Sequence, residues 1–196
     1  MGKKTTRERL RKRRQRERLR SYMIWGSLGA IVMVLIGVLI WPSVKPAAGE
    51  AVGLMPNYNH VEEGTDPGPF NSDPPTSGPH YASDLTAGFY EESEIEDIGP
   101  YPSGYLVHNL EHGYVIFWYN CTVLDKAGCT ELKGQIQEVM EGAMNTKLIA
   151  FPWNSIDVPV VMTSWGRMLR FENFDPKLAL RFVSSNRNRA PEPQAP

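Results

Sequence analysis

No charged residue occurs from Tyr22 to Trp41, although charged residues make up 22% of the chain. As a helix rising 1.5 Å per residue, such a run of about 20 residues would span roughly 30 Å, the thickness of a bilayer's hydrocarbon core. Its length argues against a cleaved signal peptide, whose apolar core runs to about 7–15 residues. Ala47-Ala48-Gly49 is a passable cleavage site, but it lies behind Pro42, Lys45 and Pro46. Tyr22 and Trp25 at one end and Trp41 at the other suit the two interfaces. Acidic residues are scarce before the run. Residues 1–20 hold 11 Lys and Arg against Glu8 and Glu17, so the remainder holds 10 bases and 20 acids. A tail of net +9 and a body of net -10 belong in different surroundings. The expectation is a single-pass cell-membrane protein, with the basic N-terminus cytoplasmic and the C-terminal domain extracytoplasmic. No cysteine follows the run closely, which argues against a lipoprotein. No aromatic residue precedes Tyr22 to stack on a base. No nucleic-acid partner is therefore expected, and the tail reads as an orientation signal and a contact for anionic lipid.

Cysteine is equally scarce. Cys121 and Cys129 are the only two, with seven residues between them. A redox-active pair has the closer C-x-x-C spacing, so a structural disulfide in an oxidising compartment is the expectation. Asn120-Cys121-Thr122 fits the N-glycosylation pattern, which a prokaryotic source would make accidental.

No internal repeat is visible. The sequence divides into a basic tail (1–21), a transmembrane helix (22–41), a linker with three prolines (42–56), an external domain (57–187) and a polar, Pro-rich disordered tail (188–196). Residues 57–105 are dense in Gly, Pro, Asn, Asp and Ser and show no sustained period, so they read as ordered loop with short strands. Tyr114–Tyr119 (YVIFWY) reads as a strand buried on both faces. Glu131–Asn145 has helical spacing with Thr130 as N-cap. Leu148–Trp153, Val158–Trp165 and Arg167–Phe174 are strand candidates. Asp175-Pro176 opens a helix running to about Ser185. The predicted fold is α+β: a transmembrane helix, then one compact domain with a small mixed or antiparallel sheet, two helices and a long Pro/Gly-rich loop region.

The chemistry is bounded by absences too. There is no G-x-S-x-G nucleophile elbow, P-loop or dinucleotide fingerprint. Histidine is missing from Tyr114–Pro196; all four lie earlier, at His60, His80, His108 and His112. His108 and His112 are four apart within LVHNLEHG (106–113), so on a short helix they would share a face. His108-x-x-Glu111-His112 matches the inverted zincin pattern, in which both histidines bind zinc and Glu activates water. In PPTSGPHY (74–81) the prolines and Gly78 brace a turn that fixes the direction of His80.

These two segments, in this order, resemble the uncharacterised DUF3105 family. The similarity covers about residues 57–174 and includes His60 and Thr163-Ser164-Trp165-Gly166-Arg167. The resemblance implies a membrane-anchored extracytoplasmic domain and no established reaction. It carries over the motif positions His60, His80, His108, Glu111 and His112.

Three or four imidazoles suit zinc or copper, and a thioether such as Met162 would tilt the site towards Cu(I). The expected site has His80, His108 and His112 as metal ligands. His60, Glu111, Met162 or water would take the fourth position. Met140 and Met144, at helical spacing, read as core, and Trp165 as core or the wall of a pocket. Three functions compete. The first is metal handling, or metal insertion into a membrane enzyme. The second is a metal-free accessory domain with a membrane-protein partner. The third is a small metal-dependent hydrolase with Glu111 as catalytic base.

Overall fold

The structure, a computed structural model, describes residue 14, residues 22–38 and residues 47–195. Residues 22–38 form helix α1. Among the described residues, no helix is long and apolar enough to cross a membrane. The described part of α1 is shorter than the predicted span, whose residues 39–41 lie outside the described residues, as does the basic tail apart from residue 14. Met1–Lys45 and Pro46–Pro196 are separate compact units, and the second carries the fold.

That unit is α+β. Its strands are β1 (Glu50–Ala51), β2 (Gly88–Phe89), β3 (Val115–Tyr119), β4 (Leu148–Pro152), β5 (Val160–Ser164) and β6 (Arg167–Phe171). They form one mixed sheet in the order β1-β6-β5-β3-β4-β2. β3 runs parallel to β4, which also pairs parallel with β2, while β5 is antiparallel to β3 and to β6. Its helices are α2 (Pro102–Glu111), α3 (Lys126–Gly142) and α4 (Pro176–Asn186). The domain therefore has three helices where two are predicted. The third is the short segment bearing the histidines, which is buried nearly all round and so carries no one-sided apolar stripe to announce it by periodicity.

Both faces of β3 are covered, as its run of aromatic and β-branched residues requires. Val115, Phe117 and Tyr119 join Met162 and the apolar stripes of α3 (Leu132, Ile136, Val139, Met140) and α4 (Ala179, Phe182, Val183). Ile116 and Trp118 face the other way, onto Leu106 and Leu110 of α2, with Tyr90, Ile95 and Ile98 from the loop region. The long loop is thus one layer of the core. Trp118 buries its indole N–H by donating to Thr163 Oγ1 at 2.7 Å.

Three local predictions need correction. Helix α3 starts at Lys126, not after Thr130, because Asp125 Oδ1 accepts from Gly128 N–H at 2.7 Å and caps it. Thr130 Oγ1 instead donates to the carbonyl of Lys126. The predicted linker enters the fold at its end: β1 pairs with β6, and Ala48 is buried. The residues predicted to form a disordered tail are tied down. Asn188 N–H donates to the Gly113 carbonyl and Glu192 N–H to that of Glu111. The Lys147 ammonium donates to the carbonyls of His112, Pro193 and Ala195.

Cys121 and Cys129 are joined, with Cα atoms 5.2 Å apart. The bond ties the turn after β3 to the first turn of α3. Asn120 of the glycosylation pattern is 1% exposed, and its side chain donates to the Ile156 carbonyl and accepts from Thr122 N–H. Its amide nitrogen is committed to the fold.

Candidate metal centre

Helix α2 supplies two of the site's side chains. Pro102 occupies its first turn, where a missing N–H costs nothing. Two residues on, Gly104 lies against the ring of Tyr81: a Cβ there would come within 2.4 Å of it. Tyr81 N–H also donates to the Gly104 carbonyl at 3.1 Å. The helix start and the residue after His80 are therefore locked together. The helix ends at Glu111 with His112 as cap, and the chain then turns at Gly113, whose φ of +84° few side chains tolerate and where a Cβ would meet Asn188 backbone.

The segment predicted as a Pro-braced turn is interior. Pro74–Gly78 is buried, and His80 and Tyr81 with it. Gly166 N–H donates to the Thr76 carbonyl, and Met55 N–H to Ser77 Oγ, so the β5–β6 turn carrying Trp165-Gly166-Arg167 supports this loop from behind. His60 arrives on a third segment, zipped parallel to His80: Val61 N–H donates to the His80 carbonyl at 2.7 Å, and His80 N–H to that of Asn59 at 3.3 Å.

Donor atoms of His60, His80, His108 and Glu111 lie within 4.8 Å of one another. The ring centres of the three histidines form a near-equilateral triangle, 4.9 Å for His60–His80 and 5.2 Å for each of the other two pairs. Three imidazoles on one tetrahedral ion, bound at about 2.0–2.1 Å, would have ring centres about 5 Å apart. Such an ion would draw the donors to about 3.4 Å, a side-chain adjustment on the order of 1 Å. His80 is fully buried, and His108 and Glu111 nearly so, whereas the His60 side chain is 53% exposed.

Hydrogen-bond accounting sharpens the picture. His80 Nδ1 lies 2.8 Å from the Gly78 carbonyl, which can only accept, so Nδ1 carries a proton. Nε2, the ring's other nitrogen, faces Glu111 Oε2 at 2.9 Å. Two lone-pair donors at that distance need a positive centre between them, a proton or a metal ion in its place. The same oxygen lies 4.0 Å from His60 Nε2. His108 is pushed down to about 4, first by burial and then by His112, His80 and His60, with Asp84 pulling weakly the other way. It is therefore a neutral imidazole at neutral pH, the form that ligates. Its Nδ1 is buried with no hydrogen-bond partner among the described residues.

His112 does not join the group. Its ring centre is 4.2 Å from that of His108, but the residue caps the helix with φ -79° and ψ 3°. Its Nδ1 faces Asp84 at 3.8 Å and its Nε2 faces Glu192 at 3.7 Å. The predicted trio is thus replaced by His60, His80 and His108, with Glu111 beside them. Helical spacing does bring the His108 and His112 rings together, but it could not say that the ring nitrogens of His112 would face Asp84 and Glu192. Asp84 and Glu192 carried no sequence signal, being single acids in loop and tail. Met162 is fully buried on the α3–α4 side of the sheet, facing away from α2, and cannot complete the set. Met140 is core as predicted, while Met144 is exposed. The other cluster of ligand-type residues, Glu92 with Cys121 and Cys129, is no site, because both sulfurs are in the disulfide.

An α+β domain with a cluster of three imidazoles and a carboxylate, three of the four residues buried and His60 half in solvent, assembled from three chain segments, is the class of protein that this geometry defines. Residues 60–196 match the family described as Protein of unknown function (DUF3105), and the chain belongs to it. No curated protein and no solved structure matches the chain.

Proposed function

We propose that the domain binds one divalent transition-metal ion through His60, His80, His108 and Glu111. It would act in metal handling, or as an accessory that supplies metal to a membrane enzyme. One observation carries this reading: four donors from three separate segments converge within 4.8 Å, with three of the four residues buried. Burying so many polar groups without a shared partner is costly, and the domain supports them with its loop, its β5–β6 turn and a zipped strand. The donor set is nitrogen and oxygen without sulfur, which favours zinc or cupric copper over Cu(I). The proposed setting is the outer side of the cell membrane, with the uncharged run from Tyr22 as anchor and a membrane protein as partner. The metal-handling reading is preferred to the hydrolase alternative because the inverted zincin arrangement puts His112 on the ion and leaves Glu111 free as base, whereas here Glu111 lies among the converging donors.

Elemental analysis tests the reading. Full-chain protein purified in detergent without a polyhistidine tag should retain about one zinc or copper ion per chain after dialysis. His80→Ala should lower that to below about one tenth, with the fold intact by circular dichroism. Wild-type protein that keeps no metal would overturn the proposal in favour of a metal-free interaction domain.

A further inference from the structure

We infer that the centre is an exchange site rather than a closed structural one, and that His60 is the ligand that lets go. The inference rests on the metal-binding reading above. The asymmetry among the four ligands carries it. His80 is 0% exposed and pinned at Nδ1 by the Gly78 carbonyl. His108 and Glu111 are buried on helix α2, whose start is packed against Tyr81 at Gly104. His60 is held differently. Its backbone is bridged to His80, yet its side chain stands half in solvent.

A structural zinc site shields all its ligands, whereas a working site keeps one position that solvent can reach. Here the accessible position is already filled by a protein ligand. Exchange would run by substitution: a donor from solvent would take the place of the His60 nitrogen on the ion, one bond to the ion forming as the other breaks, with the neutral imidazole left free in solvent. The three buried donors keep the ion in place during the swap. Release to an acceptor follows when the acceptor has supplied enough donors to draw the ion out past the displaced ring. Nothing is oxidised or reduced, and the ion leaves in the state in which it arrived.

Stopped-flow release of zinc to an excess of a chromophoric chelator tests this, using zinc-loaded full-chain protein in detergent. His60→Ala should still load about one zinc per chain, on its three remaining donors, but should release it at least about ten times faster than wild type. His60→Asn should show the same acceleration, which separates ligand loss from a local packing defect. An unchanged rate would show that His60 is not a ligand, and a variant that takes up no zinc would show that it is an essential holder. Either result overturns the inference while leaving metal binding by the wild type standing. Wild-type protein that loads no zinc overturns both.

Discussion

A histidine that stays neutral well below its ordinary range is unusual, and His108 owes that property to its surroundings. Burial disfavours its charge, and three neighbouring imidazoles would repel it. The consequence for stability has a definite sign. The unfolded chain binds a proton at this residue below about pH 6.5. The folded, metal-free domain resists protonation until about pH 4. Stability from this group is therefore fully present above pH 6.5 and is lost as pH falls from there to about 4, because the unfolded state gains the proton first. The urea midpoint of metal-stripped protein should fall between pH 7.5 and pH 4.5. His108→Gln, which cannot titrate, should show a shallower fall over the same range. Equal falls in the two proteins would assign the loss to other groups. Zinc should shift the wild-type curve towards lower pH, since an ion on the lone pair must be displaced before the ring can be protonated.

At the scale of elements, what was legible in the sequence and what was not divide along a physical line. The segment YVIFWY announced β3 because six β-branched and aromatic residues in a row suit little else. Asp175-Pro176 announced α4, and Asp175 Oδ1 does accept from Lys177 and Leu178 N–H. PPTSGPHY and LVHNLEHG drew attention to the right half of the chain. Local patterns could not show that His60 would lie beside His80, because that contact depends on a parallel bridge between loops without periodicity. They could not place Glu192 near His112 either, since the tail's composition reads as disorder while its hydrogen bonds come from Lys147 and Gly113. The start of α3 differs from the predicted Glu131 for a related reason: the apolar spacing begins only at Leu132, yet Asp125 caps the helix five residues earlier than Thr130 and the disulfide anchors its first turns. That anchoring is measurable. A bond closing a loop of about nine residues removes unfolded-chain entropy worth about 2–3 kcal/mol. Cys121→Ser with Cys129→Ser should lower unfolding free energy by that amount in urea titrations, leaving zinc stoichiometry unchanged, because the bond lies away from the histidine cluster. Loss of zinc in this variant would show that the α3 turn and the metal centre are coupled.

At the scale of the whole molecule, the distribution of charge carries the proposed location of the histidine cluster. The net +9 of residues 1–20 and the net -10 of the rest are separated by the uncharged run of Tyr22–Trp41. Lys and Arg close to a span resist translocation, whereas a long domain crosses largely regardless of its charge, so the basic end should stay in the cytoplasm. The disulfide agrees with an oxidising location for the other end. The proposed location would also bear on the proposed metal, because an external site would meet ions before the reducing cytoplasm could compete for them with thiols. A reporter active only outside the membrane, fused after Pro196, should therefore be active, while a reporter active only in the cytoplasm, fused at the same position, should be silent. Replacing Lys and Arg within residues 1–20 by Gln should weaken that preference, since the orientation rule counts basic residues near the span. Activity of the cytoplasmic reporter in the wild type would reverse the topology. The cystine would then have to persist in a reducing compartment, and a metal exchanged through His60 would come from, and return to, the cytoplasmic pool.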